Sequence, residues 1–237
     1  MTTASLSPEW VPVASAEGAF DAYLVRPPGG RSGPGLLLLQ EIFGVNAHIQ
    51  AVAQQYALAG FTVLAPDLFW RQQPRVALRY DGADRERAMA LMRSVQREQV
   101  VADMAASLGV LRAQPSCGPK VAALGYCMGG RLAFAAAALC GVDAAVAYYG
   151  GGIADQLDLA HKIRCPMQFH HAGRDAHIPA TAVASIEAAM ALTPEGAECH
   201  LYPEADHGFN CWDRASHHAP SAVLALSRSL GFLARLF

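Results

Sequence analysis

Short apolar runs alternate along the chain with longer segments in which apolar residues recur at helical spacing. The runs include GLLLLQ, FTVLAPDL, KVAALGY and DAAVAYYG, and the helical segments include HIQAVAQQYALAG and PATAVASIEAAMAL. A continuous apolar run is typical of a strand covered on both faces, and strands that alternate with helices form mostly parallel sheets. The sequence therefore predicts an α/β fold with a mostly parallel central sheet, helices on both faces and no separate lid domain.

The remaining segments extend this prediction. AFDAYLVRP alternates apolar and polar residues, which is typical of a half-buried edge strand. We expect irregular structure over 67–82, helices over 84–97 and 100–113, strands at CPMQFHHAG and AECHLY, and an amphipathic terminal helix at PSAVLALSRSLGFLARLF. Because no repeat, low-complexity tract or long linker interrupts residues 1–237, we predict a single domain.

The charge balance argues against nucleic acid or an anionic membrane as a partner. The formal net charge is −2, and the chain has 53% hydrophobic and 16% charged residues, a composition of folded proteins. The most apolar stretch, from Leu132 to Val142, is too short to span a bilayer. We expect a monomer whose partner is a small-molecule substrate.

The N-terminal residues and the cysteines predict a cytoplasmic protein. MTTASLSPEWVPVAS has neither the positively charged start nor the apolar core of a signal peptide. There are six cysteines without a CxxC pair: Cys117, Cys127, Cys140, Cys165, Cys199 and Cys211. In a chain of this length without an export signal, free thiols in a reducing compartment are favoured over disulfides.

The stretch GYCMGG, at 125–130, carries the strongest functional signal. It lies between the strand KVAAL and the helical segment RLAFAAAALC, and α/β-hydrolases present their nucleophile in such a small-residue turn. Other reactive side chains also follow strands: Glu41 after GLLLLQ, Asp175 after CPMQFHHAG and His207 after AECHLYPEAD. Ligands in parallel sheets bind beyond these strand ends. The chain order of nucleophile, acid and histidine predicts that Cys127, Asp175 and His207 form a catalytic triad.

This chemistry requires these residue types. A thiol becomes a strong nucleophile as a thiolate, which a helix N-terminus or an imidazolium stabilises. His207 would be the base, and Asp175 would fix its tautomer and support its positive charge. The backbone N–H groups of Met128 and Ile42 are the candidates for an oxyanion hole.

Each of these residues also has a structural interpretation. A buried cysteine is usually inert, as we expect for Cys140 and Cys165. An aspartate in a Gly-Arg-Asp loop is often a turn residue, and PEADHG could be a solvated connection. The joint order and the position of all three at strand ends favour the catalytic interpretation.

The histidines near residue 170 raise the question of a metal. His170 and His171 are adjacent on a predicted strand, so they point to opposite faces and cannot bind one ion together. Neither they nor His177 are accompanied by an HExxH or CxxC motif. We therefore expect no metal site and no cofactor.

The motifs QEIFGVN, APDLFWRQ, GYCMGG, AYYGGG, GRDAHIP and ADHGFN, in this order, resemble the dienelactone hydrolase family. These proteins, also called carboxymethylenebutenolidases, are α/β-hydrolases with a cysteine nucleophile. The similarity runs from about residue 18 to the C-terminus. It implies the triad and the oxyanion hole named above, and it implies that Glu41 holds or deprotonates the resting thiol. A structural role for Glu41 in capping the following loop stays open.

The resemblance also implies a substrate pocket, in which this chain departs from the family pattern. Phe43 and Tyr149 match pocket residues, whereas His177 replaces an aromatic one. Of two arginines that hold a substrate carboxylate, one is replaced by Cys211 and the other aligns with Glu86. The candidates to replace them are Arg85, Arg87 and Arg214. Arg85 or Arg87 is favoured, because the resemblance implies that the helix after the PDL loop forms one wall of the pocket.

We therefore expect a hydrolase that opens a small enol lactone or activated ester through a thioester acyl-enzyme. A carboxylesterase or lactonase of broader specificity is the first alternative, because the arginine pattern is altered. A catalytically silent binding protein on the same fold is the second alternative.

Overall fold

The structure is a computed structural model that describes residues 5–237. The chain divides into two compact units, one that runs to Ala122 and includes Leu236–Phe237, and one that comprises Ala123–Arg235. The predicted single domain over 1–237 stays a prediction. None of the described helices is both long enough and apolar enough to cross a membrane.

The strands of the first unit lie in the order β1-β2-β4-β3. They are β1 (Glu9–Ser15), β2 (Gly18–Val25), β3 (Gly33–Leu39) and β4 (Thr62–Pro66). β3 and β4 are parallel and fully apolar in their inner residues, as the continuous runs predict. The pairs β1–β2 and β2–β4 are antiparallel.

The prediction that AFDAYLVRP is an edge strand is wrong. This segment forms most of β2, which pairs with β1 on one side and with β4 on the other. Alternation reports that one face of a strand is solvated, and it does not report how many neighbours the strand has. The strand that closes this side of the sheet is β1, which the sequence did not single out.

The helices of the first unit are α1 (Ala47–Leu58), α2 (Gly82–Ser94) and α3 (Arg97–Arg112). The predicted spans 84–97 and 100–113 begin two to three residues too late. α2 ends where Val95 and Gln96 adopt extended backbone conformations, and neither residue type signals a helix end. The stretch between β4 and α2 is irregular, as predicted.

The second unit carries the order β5-β6-β7-β8. The strands are β5 (Cys117–Tyr126), which contains the boundary between the units, β6 (Ala144–Tyr148), β7 (Met167–Ala172) and β8 (Ala197–Tyr202). β6, β7 and β8 are parallel. The helices are α4 (Met128–Leu139), α5 (Ala180–Met190) and α6 (Ala219–Leu233), and the sequence did not predict the 3-10 helix Ala154–Lys162.

Candidate active site

Cys127 occupies a sharp turn between β5 and α4. Its backbone has φ 55° and ψ −114°, a conformation that L-residues rarely adopt and that is found at functional sites. The Cys127 N–H donates to the Tyr148 carbonyl oxygen of β6 at 3.0 Å, which fixes the turn to the neighbouring strand. Since the residue immediately precedes α4, its side chain lies at the positive end of a helix dipole.

Two glycines of GYCMGG, Gly125 and Gly130, are required by close backbone contacts. A Cβ atom on Gly125 would fall inside the van der Waals radius of the Gly129 carbonyl oxygen. A Cβ atom on Gly130 would meet the backbone of Tyr148 and Gly150. Only glycine lets strand, turn and helix approach each other this closely.

Asp175 follows β7 and holds the loop that carries it. Its Oδ1 accepts hydrogen bonds from the backbone N–H groups of His177 at 2.8 Å and Ile178 at 3.2 Å. Its Oδ2 accepts from His207 Nδ1 at 2.8 Å. The Asp175 side chain is 1% exposed, so the carboxylate is fixed on both oxygens and shielded from water.

His207 joins Asp175 to Cys127. Its imidazole bonds Asp175 through Nδ1 and also forms a side-chain hydrogen bond with Cys127. Burial alone would lower the pKa of His207, but these two hydrogen bonds and the charges of both partners raise it to about 10. In turn, burial would raise the pKa of Asp175, but the bond to His207 lowers it. The arrangement favours an imidazolium on His207 that is paired with the Asp175 carboxylate.

Aromatic rings surround the His207 imidazole. Tyr149 is fully buried, and its ring centroid lies 5.1 Å from that of His207. Its φ of 35° is another strained value at a strand end, and its N–H donates to the His170 carbonyl oxygen at 2.8 Å. Phe209 packs on Tyr149 with centroids 5.3 Å apart. Phe209 was not predicted from the sequence as a site residue, although an aromatic residue two positions after the candidate histidine was a usable signal.

Two cation-forming side chains also lie close to His207. The exposed His177 ring makes an edge contact with His207, with centroids 5.1 Å apart. The Arg214 guanidinium lies against Gly208, where an added Cβ would collide with it, and Gly208 has φ +83°. The loop after His207 therefore folds back so that Arg214 contacts Gly208, the residue next to the candidate base.

Met128, the first residue of α4, belongs to the second unit, and the remaining predicted site residues belong to the first unit. Glu41 is fully buried two residues after β3, and Ile42 and Phe43 are 7% and 3% exposed. Their loop is fixed by a hydrogen bond from the Leu78 N–H to the Phe43 carbonyl oxygen at 2.9 Å. Tyr80 packs on the Phe43 ring with centroids 4.5 Å apart, a contact that the sequence did not predict.

Asn46 ties the same loop together. Its Oδ1 caps α1 by accepting from the Ile49 N–H, and its Nδ2 donates to the Leu78 carbonyl oxygen and the Tyr80 hydroxyl. The roles of Glu41 and Ile42 stay predictions. Arg85 and Arg87 lie on the exposed side of α2, where Arg87 donates to the Gln73 side chain, and their roles are also predictions.

The histidines of β7 are buried in separate surroundings. His170 Nδ1 bonds the Tyr202 hydroxyl and Nε2 bonds Ser229 Oγ, and burial lowers its pKa well below the usual range. His171 stacks on Phe169, and burial lowers its pKa to about 4. Within residues 5–237, no cluster of three or more His, Cys, Asp or Glu side chains is suited to hold a metal ion.

The chain is similar to known proteins over nearly its whole length. A family model of the dienelactone hydrolase family matches residues 20–237. A carboxymethylenebutenolidase from Pseudomonas putida is 36% identical over 229 residues, which are 96% of this chain and 97% of the relative.

Solved structures give the same assignment of the fold. A Klebsiella pneumoniae protein assigned as a dienelactone hydrolase superposes with a TM-score of 0.85 at 29% identity, covering 97% of this chain and 99% of that one. A dienelactone hydrolase from Anabaena variabilis, at 17% identity, covers 98% and 99% with a TM-score of 0.71. The predicted α/β-hydrolase fold, a mostly parallel sheet surrounded by helices, is confirmed. No separate lid domain is present in the part of the chain that the structure describes.

Proposed function

We propose that this chain, which belongs to the dienelactone hydrolase family, opens a small enol lactone or activated ester with Cys127 as the nucleophile. Because it belongs to this family, it is a hydrolase acting on a lactone or ester. The observation that carries this proposal is the hydrogen-bonded series of Cys127, His207 and Asp175 at the ends of β5, β8 and β7. Cys127 combines a strained backbone, a position at a helix N-terminus and a neighbouring histidine with a raised pKa. Such features cluster at functional sites, and an inert cysteine requires none of them.

The first half of the reaction forms a thioester. The Cys127 sulfur attacks the substrate carbonyl carbon, and the carbonyl electrons move to oxygen to give a tetrahedral oxyanion. When this oxyanion collapses, the carbon–oxygen bond to the leaving group breaks and the His207 imidazolium gives its proton to the leaving oxygen. Asp175 supports the charge and orientation of the imidazole throughout.

The second half hydrolyses the thioester. His207, now neutral, takes a proton from water as the water oxygen attacks the acyl carbon. The second tetrahedral oxyanion expels the Cys127 thiolate and releases the acid product. The imidazolium remains on His207, so the starting state is restored.

We propose that the Met128 and Ile42 N–H groups stabilise both oxyanions. Met128 is the first residue of α4, and the first N–H groups of a helix have no intrahelical partner. Loss of one such donor costs about 3 kcal/mol of transition-state stabilisation. We also propose that Glu41 holds the resting thiol, because a fully buried carboxylate is costly without a functional or structural partner.

A substrate carboxylate would be bound by arginine, whose planar guanidinium donates hydrogen bonds to both carboxylate oxygens. Arg85, Arg87 and Arg214 are the candidates. Arg214 is the first to test, because its guanidinium lies against Gly208, next to His207. Replacing the correct arginine by alanine should lower kcat/KM at least about tenfold for an anionic lactone and leave a neutral ester nearly unaffected.

A carboxylesterase of broader specificity is the second candidate, and Cys211 in place of an arginine favours it. Steady-state rates on dienelactones and on neutral p-nitrophenyl esters separate the two functions. Higher kcat/KM on dienelactones would support the lactonase, and equal or higher values on neutral esters would support the esterase. A cytoplasmic location and a monomeric state remain predictions.

The acyl-enzyme is tested by partitioning. Phenyl acetate and p-nitrophenyl acetate have the same acyl group, so both would form the same thioester on Cys127. Water converts this thioester to acetate and added methanol converts it to methyl acetate, so the ratio of the two products should not depend on the substrate. We expect the same ratio of methyl acetate to acetate from both substrates. A ratio that changes with the leaving group would indicate direct attack of water and would contradict the thioester.

A further inference from the structure

A buried network of polar side chains links the strands β6, β7 and β8 to the C-terminal helix α6. Its members are Tyr148, Gln168, His170, Tyr202 and Ser229. Each of them is at most 3% exposed. Buried polar groups cost free energy unless they are hydrogen-bonded, so a network of this size is retained for a structural or a functional reason.

Ser229 Oγ lies at the centre of the network. It is 2.7 Å from the Tyr148 hydroxyl, 2.9 Å from His170 Nε2 and 3.3 Å from Gln168 Oε1. Because burial lowers the pKa of His170, the ring is neutral, and its Nδ1 accepts from the Tyr202 hydroxyl at 2.8 Å. Its Nε2–H then donates to Gln168 Oε1 at 2.9 Å. Ser229 also donates to Gln168 Oε1, which leaves its lone pairs to accept the Tyr148 hydroxyl proton.

Tyr148 connects this network to the turn that carries Cys127. Its carbonyl oxygen accepts the Cys127 N–H at 3.0 Å, and its ring centroid lies 4.6 Å from that of Tyr126, the residue before Cys127. Tyr148 is therefore held by its hydroxyl at one end, while its carbonyl holds the turn at the other.

Two strained residues depend on this connection. Cys127 has φ 55°, and Tyr149, which directly follows Tyr148, has φ 35°. Such backbone conformations persist only where the surrounding contacts hold them in place. An anchor on Tyr148 acts on both residues, because one is hydrogen-bonded to it and the other is its neighbour in the chain.

We propose that Ser229 is a positioning residue, which keeps the Cys127 sulfur at its reactive position by anchoring Tyr148. This inference rests on the proposed role of Cys127 as the nucleophile, and it assigns a part in the reaction to a side chain of the terminal helix. Without the Ser229 hydroxyl, Tyr148 can shift, and the turn shifts with the carbonyl that holds the Cys127 N–H. A displacement of about 1 Å at a reacting atom can lower a rate about a hundredfold.

Two variants break the anchoring hydrogen bond from opposite ends. Ser229→Ala removes the acceptor, and Tyr148→Phe removes the donor while it keeps the aromatic ring. We expect each variant to lower kcat/KM on p-nitrophenyl acetate about tenfold. Because both changes remove the same bond, the double variant should lose no more activity than the single variants do.

The reactivity of the thiol gives a second measurement that does not depend on substrate. Iodoacetamide alkylation at pH 7 is followed in the tryptic peptide 121–131, in which Cys127 is the only cysteine. We expect Ser229→Ala to slow this alkylation about fivefold, because a displaced sulfur loses its hydrogen bond to His207.

Ser221→Ala is the matched control. Ser221 is another buried serine of α6, and its Oγ lies 2.7 Å from His218 Nδ1. Each alanine variant loses a buried hydrogen bond to a histidine, so we expect both to unfold at a lower urea concentration than the parent. Ser221→Ala should nevertheless keep the parent values of kcat/KM and of the Cys127 alkylation rate.

If Ser229→Ala matched Ser221→Ala in kcat/KM and in alkylation rate, the inference would be overturned and the proposed hydrolysis would stand. Losses that add up in the double variant would overturn it as well, since they would show that Ser229 does not act through Tyr148. A parent that hydrolyses neither p-nitrophenyl acetate nor phenyl acetate would overturn the proposed function, and this inference with it. The two failures are therefore distinguishable.

Discussion

At the scale of single residues, the site depends on hydrogen bonds that hold charge in place. Asp175 uses both carboxylate oxygens, and His207 uses one nitrogen for Asp175 while its ring also bonds Cys127. Asp175 and His207 each stabilise the charged form of the other, since the pKa of His207 is raised and that of Asp175 is lowered. An ion-paired resting state follows from this mutual stabilisation.

This state makes a prediction for the titration of His207. Because its pKa is raised to about 10, its NMR signals should remain those of an imidazolium through pH 8. Cys127→Ala removes one of the two partners that raise the pKa, so His207 should then titrate at lower pH. A parent His207 that titrates near the ordinary value of about 6.5 would contradict the ion pair.

At the scale of elements, the turn between β5 and α4 determines where Cys127, the proposed nucleophile, lies. Gly125→Ala places a methyl group inside the Gly129 backbone, so it should lower the free energy of unfolding by about 3 kcal/mol and abolish turnover. Gly109→Ala is the matched control. Its added methyl meets nothing within 4 Å in α3, and it should be neutral or stabilise by about 1 kcal/mol.

Denaturant unfolding and kcat on a neutral ester measure both variants. If Gly125→Ala were as stable and active as Gly109→Ala, the requirement for glycine in the turn would be disproved.

The elements also explain what the sequence could predict. The candidate residues Cys127, Asp175 and His207 could be selected from the sequence because apolar strands end at identifiable residues, and parallel strands bring those ends to one edge of the sheet. The loop from His207 to α6 was not predictable, because the packing of Arg214 on Gly208 depends on a turn that no local pattern encodes. β2 was wrongly predicted to be an edge strand, and the break between α2 and α3 was predicted a few residues too late. Both errors have the same cause, because tertiary contacts determine these features.

At the scale of the whole molecule, buried histidines link stability to pH. The pKa of His171 is lowered to about 4 by burial, so the unfolded chain binds the proton more readily between about pH 6.5 and 4. The stability that the neutral ring permits is complete above pH 6.5 and is lost as the pH falls through 4. For His207 the sign is reversed: its contribution is complete below pH 6.5 and is lost as the pH rises through about 10.

We predict that His171→Phe weakens the loss of stability in acid. Between pH 7 and 4 the parent should lose about 3 kcal/mol of unfolding free energy through His171, and the variant should lose correspondingly less. Phenylalanine preserves the planar stack on Phe169. Urea unfolding at the two pH values tests this, with exposed His161→Gln as the control. An equal loss in the parent and His171→Phe would contradict the assignment.

The proposed hydrolysis requires Cys127 as the nucleophile, and kcat/KM of Cys127→Ala on p-nitrophenyl acetate tests this requirement most directly. We predict a loss of at least about a thousandfold with an unchanged circular dichroism spectrum, because alanine keeps the backbone turn and removes the attacking sulfur. Cys140→Ala, at the end of α4, should retain the parent activity. A folded Cys127→Ala protein that keeps more than about a few per cent of parent kcat/KM would show that Cys127 is not the nucleophile.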